Sequence, residues 1–174
     1  IVIKMGGSVL SDKNLFNILI KDIAVLKKLG LSIFLIHGGG AKISTKLQEL
    51  NIKSNFINGL RITDDKTIDI VEDILIKFNK EIVNSLKYQS CQAKRITSKE
   101  HNIIIVKKKN DMLGFVGSPT LIKANVLIEI INGNEIPVIA SLGLDKNNQT
   151  YNINADTAAG SIAKELNARR LLIL

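Results

Sequence analysis

Twice the chain runs an apolar strand pattern straight into glycines and then into a helical pattern: "IVIKMGGSVL" at 1–10 and "SIFLIHGGGAKIS" at 32–44. Glycine in a strand-to-helix turn is costly unless the backbone must approach something closely or take positive φ. The helix that follows such a turn offers free N–H groups and the positive end of its dipole, a setting that favours phosphate. Lys4 can place an ammonium over the same anion. Gly6 and Gly7, with Gly38, Gly39 and Gly40, are therefore candidate anion-binding loops. Either alone reads as a tight turn; neither has the spacing G-x-x-x-x-G-K-[ST] or G-x-G-x-x-G. Two of them side by side point to one shared anionic ligand at the carboxyl ends of adjacent strands.

Three further positions carry chemistry. In "NGLRITD" (58–64) Arg61 follows a glycine turn and precedes a helix cap. A guanidinium there suits bidentate capture of a carboxylate, and the alternative is a surface arginine. In "YNINADTAAG" (151–160) Asn152 and Asn154 alternate along a strand pattern, so both can point to one side. Asp156 enters a small-residue helix, where it serves as a site carboxylate, an N-cap, or both. His37 is one of two histidines. With no second His, Cys or paired carboxylate at ligand spacing, it reads as a structural hydrogen-bonder, and no metal site is expected. Cys91 reads as a packed thiol.

These residues need a scaffold that brings turns together. Strand patterns at 1–4, 31–37, 136–141 and 170–174 alternate with helical patterns at 14–29, 41–50, about 64–88, 121–132 and 156–168. The expected inward face of the first helix is Leu15, Ile18, Leu19, Ile23 and Leu26, with Gly30 as its stop signal. That of the long helix is Ile68, Val71, Leu75, Phe78, Ile82 and Leu86, with Thr63 or Asp64 as its cap. β-α alternation predicts an α/β fold with an open, mainly parallel sheet and helices on both faces. Residues 92–117 break the pattern with short β-rich runs around "KKKND", which predicts a protruding β-hairpin. Ending on a buried-type strand suggests half of a larger α/β unit.

Composition bounds the rest. With 174 residues and 45% hydrophobic content the chain can bury a core as one domain. No apolar run reaches about 18 residues, so no membrane span is expected. The net charge of +8 is spread over scattered lysines with only 4% aromatics, which argues against nucleic acid as a partner. One cysteine fits a reducing compartment, the cytoplasm or, for an organelle-encoded protein, the plastid stroma.

Taken together, "KMGGSVL", "IHGGGAKIS", "NGLRITD", "LGFVG", "IPVIASLG" and "YNINADTAAGSIAKELNA" resemble the amino-acid kinase superfamily, and within it the acetylglutamate kinase branch of arginine biosynthesis. The resemblance runs over nearly the whole chain, in order. It implies a three-layer αβα sandwich in which residues 1–174 form the N-terminal, N-acetyl-L-glutamate-binding and dimerisation lobe, with an ATP-binding lobe beyond Leu174. It implies transfer of the ATP γ-phosphoryl group to a γ-carboxylate, with Mg2+ arriving as part of the co-substrate. Lys4 matches the lysine that stabilises the transferring group, and Asp156 the aspartate that orients catalytic lysines. Gly7, Gly39 and Gly40 match the loops that donate N–H bonds, Arg61 the clamp on the α-carboxylate, and Asn152 an asparagine contacting substrate. The resemblance also implies a homodimer or homohexamer and a PII-type regulator. One segment departs: "RITSKE" (95–100) has Arg95 and Ser98 where the family carries glycines. Two other readings stand beside this one, a non-catalytic regulatory fragment and a related carboxylate kinase acting on aspartate or glutamate.

Overall fold

The apolar runs of the sequence become the strands of a parallel sheet, and the helical patterns cover its two faces. The computed structural model describes residues 1–174. In chain order the elements are β1 (Val2–Met5), α1 (Gly7–Ser11), α2 (Lys13–Lys28), β2 (Phe34–His37), α3 (Gly40–Glu49), β3 (Phe56–Ile57), β4 (Leu60–Arg61), α4 (Asp65–Tyr88) and β5 (Ala93–Ile96). There follow β6 (Ile104–Lys108), β7 (Gly117–Ile122), α5 (Ala124–Asn132), β8 (Ile136–Ala140), β9 (Leu142–Leu144), β10 (Thr150–Asn152), α6 (Ala155–Glu165) and β11 (Leu171–Ile173).

The main sheet has five strands in the order β11-β1-β2-β8-β5, every neighbouring pair parallel. All strand carboxyl ends therefore lie along one edge, as the sequence pattern predicts. Side chains alternate across it. Ile3, Met5, Leu35 and Val138 pack with Ile20 and Ile23 of α2 and Phe78, Ile82 and Leu86 of α4. Val2, Ile36 and Ile139 pack on the other face with Leu127 of α5 and Ala158, Ala159 and Ile162 of α6. Each fully buried Leu or Ile contributes roughly 1.5–3 kcal/mol relative to exposure. Lys4, two residues after Val2, faces the α6 side by the same alternation.

Helix ends follow local chemistry. Asp12 caps α2, its carboxylate accepting from the N–H of Asn14 at 2.7 Å and of Leu15 at 3.0 Å. At the other end Gly30 takes φ +85°, and the N–H groups of Gly30 and Leu31 bond back to Lys27 and Leu26, the left-handed stop expected from the sequence. Asp64 caps α4 through the N–H of Thr67.

Several expectations are corrected. Residues 93–96 do not belong to a hairpin; they form β5, the edge strand beside β8. The antiparallel pair is β6–β7, spanning 104–122 rather than 92–117. It is also no free-standing arm: β9 and β10 extend it into a four-stranded sheet, order β10-β9-β6-β7. Ile104, Val106 and Ile122 bury against the α5–α6 layer, which is why the pair stays docked. Leu121 and Ile122 end β7, so α5 starts only at Ala124. On α2, Leu15 and Ile18 are exposed while Phe16 and Ile20 turn inward, because the face that packs on the sheet and α4 is the one carrying Phe16, Ile20, Ile23 and Ala24.

Candidate functional site

At the carboxyl ends of β1 and β2 lies a cavity of about 230 Å3. Its lining includes Lys4, Gly6, Gly7, Gly38, Gly39, Gly40, Arg61, Asn152 and Asp156. The fold thus brings every sequence-predicted site residue to one place. A larger groove of about 980 Å3 runs between α2, α3 and α4. Its Lys42, Lys46 and Lys77 are already paired with Glu81, Glu49 and Asp73, and no glycine turn opens into it. The smaller cavity is where charge and free N–H groups converge.

The glycines divide by physical role. Gly6 and Gly39 stand at the N-caps of α1 and α3, and neither helix start has a side-chain cap. A Cβ on Gly6 would come within 2.1 Å of the Leu174 carbonyl oxygen, and one on Gly39 within 2.8 Å of Leu75 Cδ2. These two are small because protein crowds them. Gly7 and Gly40, the first residues of their helices, would meet nothing within 4 Å. No protein atom demands a glycine at either position, so their bare surfaces face space that a ligand can enter.

Lys4 is buried, and its Nζ lies 2.9 Å from Asp156 Oδ1. Asp156 is free to make this pair because Asn154, not Asp156, caps α6, accepting from the Thr157 N–H at 2.9 Å. That overturns two sequence expectations: Asp156 is not the cap, and Asn154 lies past the end of β10 rather than beside Asn152 on it.

Arg61 is no surface arginine. It is 7% exposed, and its guanidinium lies under the Phe56 ring, 4.7 Å from the centroid. Nη2 donates to the Gly40 carbonyl at 3.0 Å and to Ser44 Oγ at 2.8 Å, and Nη1 donates to Ser54 Oγ. Burial lowers its pKa from the ordinary arginine value. Arg61 therefore ties the second glycine turn to the β3–β4 loop and retains N–H donors on Nε and Nη1. Asn152 is oriented by its Nδ2, which donates to Thr63 Oγ1 at 3.3 Å, and by its backbone N–H, which bonds Phe115 O at 2.9 Å.

His37 is fully buried and hydrogen-bonded, as its sequence context suggests. Nδ1 donates to the Gly38 carbonyl at 3.0 Å, and Nε2 accepts from Asn79 Nδ2 at 3.1 Å. That pairing fixes the neutral tautomer, and burial pushes its pKa down to about 4. Cys91 is a buried free thiol. No three His, Cys, Asp or Glu side chains converge as a metal-binding group, and no helix is long and apolar enough to cross a membrane.

The sequence reading missed the cavity's apolar wall of Phe56, Leu60, Val116 and Ile153, and also Ser141. Leu60, Val116, Ser141 and Ile153 all fall within the motifs that carry the family resemblance, Phe56 lies outside them, and only the tertiary return of β6–β7 brings Val116 to the cavity.

A family model described as the amino acid kinase family matches residues 1–174. The acetylglutamate kinase of Pelagibacter ubique is 64% identical over 174 residues, covering all of this chain and 60% of that protein. That of Porphyra purpurea is 43% identical over 177 residues, again covering the whole chain and 62% of its relative. The chain thus spans about 60% of the length of these curated relatives. Among solved structures, smu.665 from Streptococcus mutans UA159 matches with a TM-score of 0.90 and 28% identity, over 99% of this chain and 71% of that one. Giardia carbamate kinase matches with a TM-score of 0.70 at 16% identity, over 99% of this chain and 70% of that one, which speaks to fold alone.

Proposed function

The chain belongs to the amino acid kinase family, and from that premise we propose that it is the acceptor-binding lobe of an acetylglutamate kinase. The observation that carries the reading is the convergence of two uncapped helix starts on one cavity beside a buried lysine. In the proposed reaction an acceptor carboxylate oxygen attacks the γ-phosphorus of ATP, the bond to the β-bridging oxygen breaks, ADP leaves, and an acyl phosphate forms. No general base is needed, because a carboxylate is already ionised at neutral pH. What the protein must supply is alignment and neutralisation of oxygen charge. Lys4 and the N–H groups at Gly7 and Gly40 provide that field in a partly dry setting. Arg61 and Asn152 hold the far end of the acceptor.

The cavity also speaks to which acceptor fits. Its one carboxylate, Asp156, is taken by Lys4, so no free anion awaits an α-ammonium. Leu60, Val116 and Ile153 instead offer an apolar wall for an acyl methyl. Both features favour N-acetyl-L-glutamate over free aspartate or glutamate. ATP, carrying Mg2+ on its phosphates, belongs in this reading to the portion of the relatives outside these residues. Homo-oligomeric assembly as dimer or hexamer, a PII-type regulator, and residence in the cytoplasm or plastid stroma belong to the same reading.

The test is calorimetry with N-acetylglutamate, aspartate and glutamate on the full reading frame, with acyl phosphate trapped as its hydroxamate. N-acetylglutamate alone should bind and turn over. Arg61→Lys should weaken its binding by roughly 1–3 kcal/mol, the scale of losing a charge-assisted fork. Preference for a free amino acid, or unchanged affinity in the variant, overturns the assignment.

A further inference from the structure

Asn152 sits on a short strand, β10, whose place is fixed from outside the strand itself. Thr150 and Asn152 are two apart, so they share one face of β10. Thr150 Oγ1 donates to Glu72 Oε1 at 2.8 Å, and Asn152 Nδ2 reaches Thr63 Oγ1. Glu72 lies inside α4 and Thr63 just before that helix, so α4 holds the strand at two points. Glu72 is itself held: Oε1 also accepts from Ser98 Oγ, and Oε2 lies 3.3 Å from Lys99 Nζ. Thr150 and Ser98 are both buried, and the Glu72 side chain is 13% exposed. An ionised carboxylate at that depth is retained only with such partners.

We propose that Glu72 is a positioning residue for the acceptor site: by gripping Thr150 it sets where Asn152 stands. It touches no reacting group. The claim rests on the acceptor-lobe reading above, and it assigns a task to Ser98 and Lys99, which lie in the segment that departs from the family pattern. A carboxylate shared between a loop after β5 and a strand of the second sheet makes the two sheets move as one body at the cavity. Losing it lets β10 drift, and the effect falls on acceptor binding rather than on phosphoryl transfer.

The test compares Glu72→Ala, Thr150→Val and Glu72→Gln in the full reading frame, by kinetics and by hydrogen exchange of the segment 150–154. Glu72→Ala and Thr150→Val should each raise the acceptor KM roughly five- to tenfold, with kcat and the ATP KM little changed. The double variant should be no worse than either single one, as expected of partners in one contact. Exchange at the Asn152 N–H should speed up in both. Glu72→Gln, which keeps an acceptor oxygen for Ser98 and Thr150, should restore both readouts. Unchanged exchange overturns the positioning role whatever the substrate is. Faster exchange with an unchanged acceptor KM overturns the link to the site. A wild-type protein inert toward N-acetylglutamate defeats the functional reading instead, and the exchange data still decide whether Glu72 holds Asn152.

Discussion

Lys4 Nζ and Asp156 Oδ1 stand 2.9 Å apart, the lysine side chain 11% exposed and the aspartate 55%. The pair joins the carboxyl end of β1 to the first turn of α6, two elements at opposite ends of the sequence. Its asymmetry matters: the ammonium is confined, while the carboxylate is half in water. An ion pair open to water on one side adds little stability, and under the proposed function the aspartate serves to aim the lysine.

From this follows a kinetic signature. Lys4→Ala in the full reading frame should lower kcat by at least about 100-fold, the scale of losing one preorganised donor to developing oxygen charge, with a far smaller rise in the acceptor KM. Asp156→Asn should give a smaller loss in kcat, because the lysine remains but is less well aimed. Steady-state kinetics separate these outcomes. A pure KM effect in Lys4→Ala would recast the lysine as a substrate anchor.

The glycines separate in a second experiment. Gly6→Ala should lower the melting temperature, because its Cβ would lie 2.1 Å from the Leu174 carbonyl oxygen. Gly7→Ala and Gly40→Ala meet no protein atom within 4 Å and replace the poorest ordinary helix former with the best, a gain of up to about 1 kcal/mol. They should melt no earlier than wild type yet show a KM for acceptor or ATP raised roughly tenfold. Destabilised Gly7 and Gly40 variants would mean those positions are small for packing, and the two loops would lose their claim to a ligand.

The third prediction concerns acid. The folded-state pKa of His37 is about 4, below its unfolded value of about 6.5. Between those values the unfolded chain binds a proton that the folded protein refuses, so stability rises with pH there. The stabilisation is complete above about pH 6.5 and is lost as pH falls toward 4, an order of 3 kcal/mol for this one group. Urea titrations across that range should show the slope, and the His37 ring should stay neutral by NMR down to about pH 5. A ring titrating near its ordinary value would dissolve the Gly38–His37–Asn79 chain of hydrogen bonds.

What the sequence by itself determined was local and periodic. Apolar runs such as "LSIFLIH", the cap at Asp64, the stop at Gly30 and the two glycine turns depend on neighbours within a few residues, and each stands where its chemistry puts it. A parallel sheet then leaves little choice about where turns after β1 and β2 can meet, so the glycines, Lys4 and Arg61 were legible as one candidate site. Tertiary structure alone decided the rest. Whether "AKRITS" pairs with a following strand or with β8 depends on hydrogen-bond partners distant in sequence, and in the fold it pairs with β8. Whether Asp156 caps α6 or meets Lys4 is settled by Asn154, which holds the cap at Thr157 and leaves Asp156 to the lysine. The apolar wall at Val116, and the grip of Glu72 on Thr150, join residues that no periodicity relates. The wall forms because apolar side chains are driven out of water, and the grip forms because burial leaves the Glu72 carboxylate and the Ser98 and Thr150 hydroxyls little water to bond, so they bond one another.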